Sequence, residues 1–217
     1  MRERSLSLVA LICLAALPAA ADERDTVRTL RQTFPTAGIE RIELDLPVGE
    51  ARITGEDRGD VQVDFELRCK PGKERCAEAA RRVTLESSSR HGELALDLRG
   101  FDRGQRRDLV LRGVVRIPAE LDLGVDMGVG ELEISGLAGN IGAELGVGEM
   151  TLRLPIDTAR SVSLDTGVGE TNLHLPDGMH AGERSGFVGG KTSWEHGTGQ
   201  AVIRADVGVG EINARLE

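Results

Sequence analysis

Five glutamates recur at one fixed place in this chain, directly after a Gly-Val-Gly or Pro-Val-Gly step. They close the segments Pro47-Val48-Gly49-Glu50, Gly128-Val129-Gly130-Glu131, Gly146-Val147-Gly148-Glu149, Gly167-Val168-Gly169-Glu170 and Gly208-Val209-Gly210-Glu211. Carboxylates stacked in a column repel one another, and a hard cation such as calcium relieves that repulsion through oxygen ligands. The plainer reading carries more weight: solvated glutamates splay apart and keep a corner polar. The short-period, Asp-liganded calcium solenoid is not this pattern, so no metal and no cofactor is assigned.

Other chemistry-bearing residues give no coherent set. His174, His180 and His196 are spaced by 6 and 16 residues, which matches no local ligand pattern. Ser87-Ser88-Ser89-Arg90-His91-Gly92 lacks the strand-to-helix elbow of a serine nucleophile and reads as a polar turn. With four Phe, one Trp and no Tyr, the chain has few aromatic platforms for a sugar, which weakens a lyase or lectin-like reading. No catalytic residue is assigned. One stretch breaks the pattern, Asp177 to Gln200, and it holds the only tryptophan. Phe187, Lys191 and Trp194 in that stretch are the candidate interaction residues, because a local break in a consistent sequence often marks function.

The elements that must position these residues follow from the spacing of the repeat. The four Gly-Val-Gly-Glu valines are separated by 18, 21 and 41 residues, the last close to two periods. Fixed-period self-similarity of this length signals a solenoid. Apolar residues recur two, four and six places before each valine: Ile42, Leu44, Leu46; Leu123, Val125, Met127; Ile141, Ala143, Leu145; Val162, Leu164 with Thr166; Ile203, Ala205, Val207. That is the period of a half-buried strand. After the valine the phase slips by one, and the apolar set resumes three and five places later, as in Leu132 and Ile134 or Ile212 and Ala214. A slip of this kind needs a bend or bulge, which glycine permits. Gly49, Gly128, Gly130, Gly146, Gly148, Gly167, Gly169, Gly208 and Gly210 are therefore structural corner residues. Pro118, Pro155 and Pro176 each follow an apolar-polar-apolar run and are expected to end a strand.

The expected fold is all-β: a single-domain parallel β-solenoid of coils of about twenty residues. Residues 22–117 supply the opening strands and one short Ala/Glu/Arg helix, and residues 118–217 the glycine-rich coils. This order of parts resembles the bacterial putative-adhesin family, a β-strand-repeat domain of unknown function with a Gly-rich, toast-rack-like solenoid. The matching parts are a strand and corner from Ile42 to Thr54, a strand from Val61 to Leu67, a helix near Cys76 to Arg82, strands around Val83 to Leu85 and Leu94 to Leu98, and coils from Pro118 onward. The resemblance implies an extracytoplasmic role and supplies no catalytic residues.

Residues 1–21 have the form of a signal peptide: Arg2 and Arg4, an apolar run from Leu6 to Leu17, and Ala19-Ala20-Ala21 before the cut. Its removal moves the formal net charge from -9 to -10 by taking away Arg2, Arg4 and Glu3. An acidic chain without a basic stripe offers nothing to nucleic acid and is repelled by anionic lipid heads, so neither nucleic acid nor membrane insertion is expected. Cys69 and Cys76 are expected to form a disulfide in an oxidising compartment. Because the last coil has no evident cap, self-association through the C-terminal coil is a further expectation. The function expected is a non-catalytic exported protein, in the periplasm ahead of the cell surface, presenting a rigid acidic solenoid to an envelope or surface protein. The alternatives are an envelope-polymer hydrolase or lyase and a divalent-cation-binding module.

Overall fold

Strict alternation of buried apolar and outward polar residues, with few helix-period segments, produces strands almost throughout. The computed structural model describes residues 24–101, 108–181, 183–185 and 189–217, with side chains described outside 179–188. In chain order the elements are β1 (Asp25–Pro35), β2 (Arg41–Glu56), β3 (Asp60–Cys69), α1 (Glu74–Arg82), β4 (Thr84–Arg90), β5 (Glu93–Arg99), β6 (Leu109–Pro118), β7 (Asp122–Ser135) and β8 (Ile141–Leu154). They continue with β9 (Ala159–Leu175), β10 (Gly178–Ala181), β11 (Glu183–Ser185), β12 (Gly189–Trp194) and β13 (Ala201–Leu216). The signal-peptide segment and Phe187 lie outside the described residues.

All thirteen strands join one sheet in the order β1-β3-β6-β2-β7-β8-β13-β9-β12-β11, with β10 on β9, β5 on β2 and β4 on β5. The wholly parallel solenoid expected from the repeat is thus corrected to a mixed sheet. Strands β2, β7, β8, β13 and β9 run parallel and in register, whereas β1 with β3, β3 with β6, β4 with β5 and β9 with β10 and β12 pair antiparallel. Between β4 and β5 and between β9 and β10, two-residue connections force the reversal. His91-Gly92, for example, turns β4 into β5 with φ of 51° and 82°, the left-handed pair that a two-residue hairpin requires.

Within the parallel stack each strand bends at its Gly-Val-Gly corner. A parallel neighbour normally needs a crossover of a dozen or more residues, yet only residues 136–140 separate β7 from β8. The second arm of each bent strand acts as the return path, so the two arms face each other across the core. A bond across that space shows the packing: Thr192, registered with Leu164 on the first arm of β9, meets Thr171 on the second arm through hydroxyl oxygens 2.7 Å apart. The expected inward residues, from Ile42 to Ala214, are buried in one continuous core. Thr166 and Thr171, the polar exceptions, are also buried, and Thr166 exchanges hydrogen bonds with the backbone of Gly190 at 2.9 and 3.3 Å.

The two corner glycines serve different purposes. At Gly148, φ is +143°, and a Cβ would stand 1.8 Å from the Gly130 carbonyl oxygen. This position tolerates no other residue without parting the strands. The first corner glycine lacks positive φ; at Gly128 a Cβ would meet the Pro47 carbonyl oxygen at 2.5 Å. Proline is tolerated in the first copy because β5 stops pairing at Asp45 and β6 begins at Gly49, leaving open the side toward which the Pro47 ring projects.

The chain does not climb the stack in sequence order. Strand β13 lies between β8 and β9, with Val209 registered to Val147 on one side and to Val168 on the other. The 21-residue interval between Val147 and Val168 therefore spans two levels, and the 18-residue interval between Val129 and Val147 spans one. This corrects two expectations. No coil is missing between Val168 and Val209, because β10, β11 and β12 close the outer side of β9 antiparallel. Nor is the C-terminal strand an open edge: it is hydrogen-bonded on both sides, which removes the reason for expecting self-association there.

At the other end, α1 packs on β1, β3 and β6 and buries Cys76, Ala79 and Ala80. Cys69 and Cys76 are joined as a disulfide, tying the end of β3 to this helix. Pro118, Pro155 and Pro176 fall at or just beyond strand ends, as expected.

Candidate functional site: the corner ridge

Parallel register turns each corner position into a column. Along the stack order β2, β7, β8, β13, β9, the corner valines Val48, Val129, Val147, Val209 and Val168 follow one another at successive levels. They point away from the core. Val129, Val147, Val168 and Val209 are 44–47% exposed and are the exposed large hydrophobic residues of the described chain. Single exposed apolar residues are ordinary on a protein surface; a contiguous line of them is a candidate contact site.

Two acidic columns flank that line. Two residues after each valine stand Glu50, Glu131, Glu149, Glu211 and Glu170, the recurrent glutamates of the sequence, now adjacent level by level. Three residues before each valine stand Asp45, Asp126, Glu144, Asp206 and Asp165, again in register. Asp97 of β5 extends this second column beyond Asp45. Sequence reasoning missed it, although an acidic residue precedes every corner valine by three places.

The chain's own cations sit at the ends of the columns. Lys191 Nζ lies 3.4 Å from Asp165 at one end, and Arg112 Nε 3.6 Å from Glu50 at the other. Between them, Asp126, Glu144, Asp206, Glu131, Glu149 and Glu170 make no ion pair among the described residues. Asp206 shows the resulting strain on charge: partial burial pushes its pKa above the ordinary value, and Asp165 on the next strand pushes it further. Lys191 and Arg204 offset part of this. Glu133, farther along the second arm, is the contrasting case. Arg52 bonds it at 2.8 Å, Arg153 also binds it, and its pKa is lowered despite some burial.

Shallow depressions lie on both sides of the ridge. On the aspartate side, one of about 400 Å³ is floored by Ala95, Gly124 and Gly142 and walled by Asp45, Asp97, Asp126 and Glu144, with Arg41 and Glu43 also in its lining. On the glutamate side, one of about 160 Å³ lies over Gly113 beside Glu50, Glu131 and Glu149, with Arg52 and Arg112 also in its lining. Among the described residues, no group of three or more His, Cys, Asp or Glu side chains is arranged to hold a metal ion.

Lys191 and Trp194, the described candidates of the irregular segment, do not form one patch. Lys191 and Trp194 are an odd number of residues apart on β12 and take opposite faces: Lys191 is exposed beside the aspartate column, and Trp194 packs half-buried against the core. Among the described residues no helix is long and apolar enough to cross a membrane.

A scan against protein-family models finds no match, and no curated protein matches in sequence. Among solved structures the chain is similar to a putative cell adhesion protein from Clostridium sporogenes, at 14% identity and a TM-score of 0.55, over 88% of this chain and 99% of that one. A putative lipid binding protein from Parabacteroides distasonis has 10% identity and a TM-score of 0.32, over 85% of this chain and 73% of its own. A putative adhesin from Bacteroides fragilis has 12% identity and a TM-score of 0.26, over 86% and 97%. The last two overlaps are too loose to carry an argument. The Clostridium likeness shows a shared fold, and fold alone does not assign function.

Proposed function

We propose that this chain is an exported, non-catalytic binding protein of the adhesion type, which meets its partner through the corner ridge. The observation that carries the reading is the line of exposed valines held between two acidic columns. A solvated structural corner has no use for apolar side chains, whereas a contact surface has. The signal-like N-terminus and the Cys69–Cys76 disulfide support a location outside the cytoplasm, in the periplasm or at the surface. The name of the Clostridium neighbour agrees with adhesion.

The test is retention of purified residues 22–217 on washed cell-envelope preparations, comparing wild type with Val129→Thr/Val147→Thr/Val209→Thr. Threonine keeps the β-branched shape and removes apolar surface. Loss of about tenfold in retention, with the melting temperature unchanged, is the expected result for a buried apolar contact. Equal retention would remove the ridge as the contact surface.

A further inference from the structure

We propose that the occupant of the ridge is an extended polypeptide segment rich in lysine or arginine, lying along the stack across the strands. This rests on the reading of the ridge as the contact surface. The five levels span four intervals of about 4.8 Å, close to 19 Å in all, which an extended segment covers in about six residues at ~3.3 Å each.

The side-chain pattern of such a segment matches the surface. In an extended chain successive side chains point to opposite sides. Laid along the valines, one set reaches the column Asp45, Asp126, Glu144, Asp206, Asp165, and the other the column Glu50, Glu131, Glu149, Glu211, Glu170. The depressions beside Gly124 and Gly113 receive side chains on their respective flanks. Lysine and arginine also carry apolar stems that cover hydrophobic surface while their heads stay charged. One residue type thus answers both the valines and the carboxylates. The protein contains its own example, since Lys191, from a flanking strand, ion-pairs with Asp165 in the column.

Other occupants fit less well. A second copy docked ridge to ridge would set carboxylate against carboxylate, and an anionic lipid surface or nucleic acid is repelled in the same way. A helix is itself a cylinder and would touch a convex corner only along a narrow line. A divalent cation makes no use of the valines.

The experiment is isothermal titration of a decalysine peptide into residues 22–217 at low salt. Three variants accompany the wild type: Asp126→Asn/Glu131→Gln/Glu144→Gln/Glu149→Gln on the ridge, Glu40→Gln/Glu93→Gln/Glu120→Gln/Asp157→Asn away from it, and the valine-to-threonine triple. Wild type is expected to bind one peptide per chain, the ridge variant about tenfold or more weakly, the distant variant within about twofold, and the threonine variant several-fold weakly. Equal weakening by the two carboxylate variants would mean bulk charge and overturn the proposal, as would unchanged binding by the threonine variant. Should the ridge variant fail to fold, zero-length carbodiimide cross-linking of decalysine to wild type decides: links at Asp126, Glu131, Glu144 and Glu149 support the site, and links confined to Glu40, Glu93, Glu120 and Asp157 overturn it. Envelope retention lost in the threonine variant, with no decalysine binding to wild type, would leave the ridge as a contact surface and overturn only the cationic partner.

Discussion

The two ends of the sheet solve the same problem of charge on an outward face in opposite ways. In the wing formed by β1, β3 and β6 and its border with β2, neighbouring strands differ in sequence and charges are paired: Arg31 of β1 with Asp64 of β3 at 2.7 Å, Arg116 of β6 with Glu56 of β2 at 3.4 Å, and Arg58, between β2 and β3, with Glu56 and Asp60. In the parallel stack of β2, β7, β8, β13 and β9, a repeated motif in register sets like against like, and Asp126, Glu144, Asp206, Glu131 and Glu149 make no ion pair among the described residues. Register converts one residue choice into a line of identical groups. Repulsion within such a line lowers stability, so its repetition in every copy points to a use outside the fold. The same register that stacks carboxylates also stacks the valines.

The sharpest way to break the stack is at its second corner glycine. Gly148→Ala places a methyl group 1.8 Å from the Gly130 carbonyl oxygen at φ +143°, and a loss of about 3–5 kcal/mol in urea unfolding is expected. A loss below about 1 kcal/mol would show that the strands part easily and that the close register is not required. The wing is broken instead by Cys69→Ala/Cys76→Ala. Closing this short loop contributes about 2–3 kcal/mol by the chain-entropy account, and the same titration reads the loss.

Charge separates the two environments more gently. Asp206 has a raised folded-state pKa, so its ionised form opposes folding above that pKa, and the penalty fades as pH falls through it. Asp165 on β9, Glu144 on β8, Lys191 on β12 and Arg204 on its own strand face it. Asp206→Asn is expected to raise stability at pH 7, by about 0.5 kcal/mol or less at this exposure. Its advantage should shrink in acid. Glu133 has the opposite sign: its lowered pKa gives stability that is present above the ordinary carboxylate value of 4.5 and lost as pH falls through the folded value. Glu133→Gln therefore lowers stability at pH 7, and the difference disappears in acid. Matching pH profiles for the two variants would contradict the contrast. The smallest effect belongs to Gly142→Ala, whose methyl group meets nothing within 4 Å; a change within about 0.5 kcal/mol is expected.

Much of this architecture was legible from local pattern. The residues two, four and six before each corner valine are inward as expected, the phase slip is a corner, and the prolines end strands. The order of the levels was not legible, because every repeat copy carries the same local signals and none says which neighbour it meets. The one clue was the difference between intervals of 18 and 21 residues, whose cause is the level skipped for β13. Strand β1 escaped notice because it is an edge whose only buried residue is Leu30, leaving almost no alternation to detect. Of the candidate site, the glutamate column was visible in the repeated motif. The aspartate column was not sought, and the irregular segment drew attention because it lacks the pattern, although Lys191 and Trp194 take opposite faces there.

The order of levels along the columns depends on β13 lying between β8 and β9, and cysteine pairing tests that placement directly. Adjacent parallel levels are about 4.8 Å apart, within the span a disulfide bridges, and levels two apart are about 10 Å apart, beyond it. Under mild oxidation Val147→Cys/Val209→Cys is expected to form an intramolecular disulfide, detected by mass spectrometry of the digested chain, and Val147→Cys/Val168→Cys is not. Ready bridging of the second pair with none in the first would mean that the strands stack in sequence order, contradicting the strand order of the sheet and the neighbours assigned along the ridge.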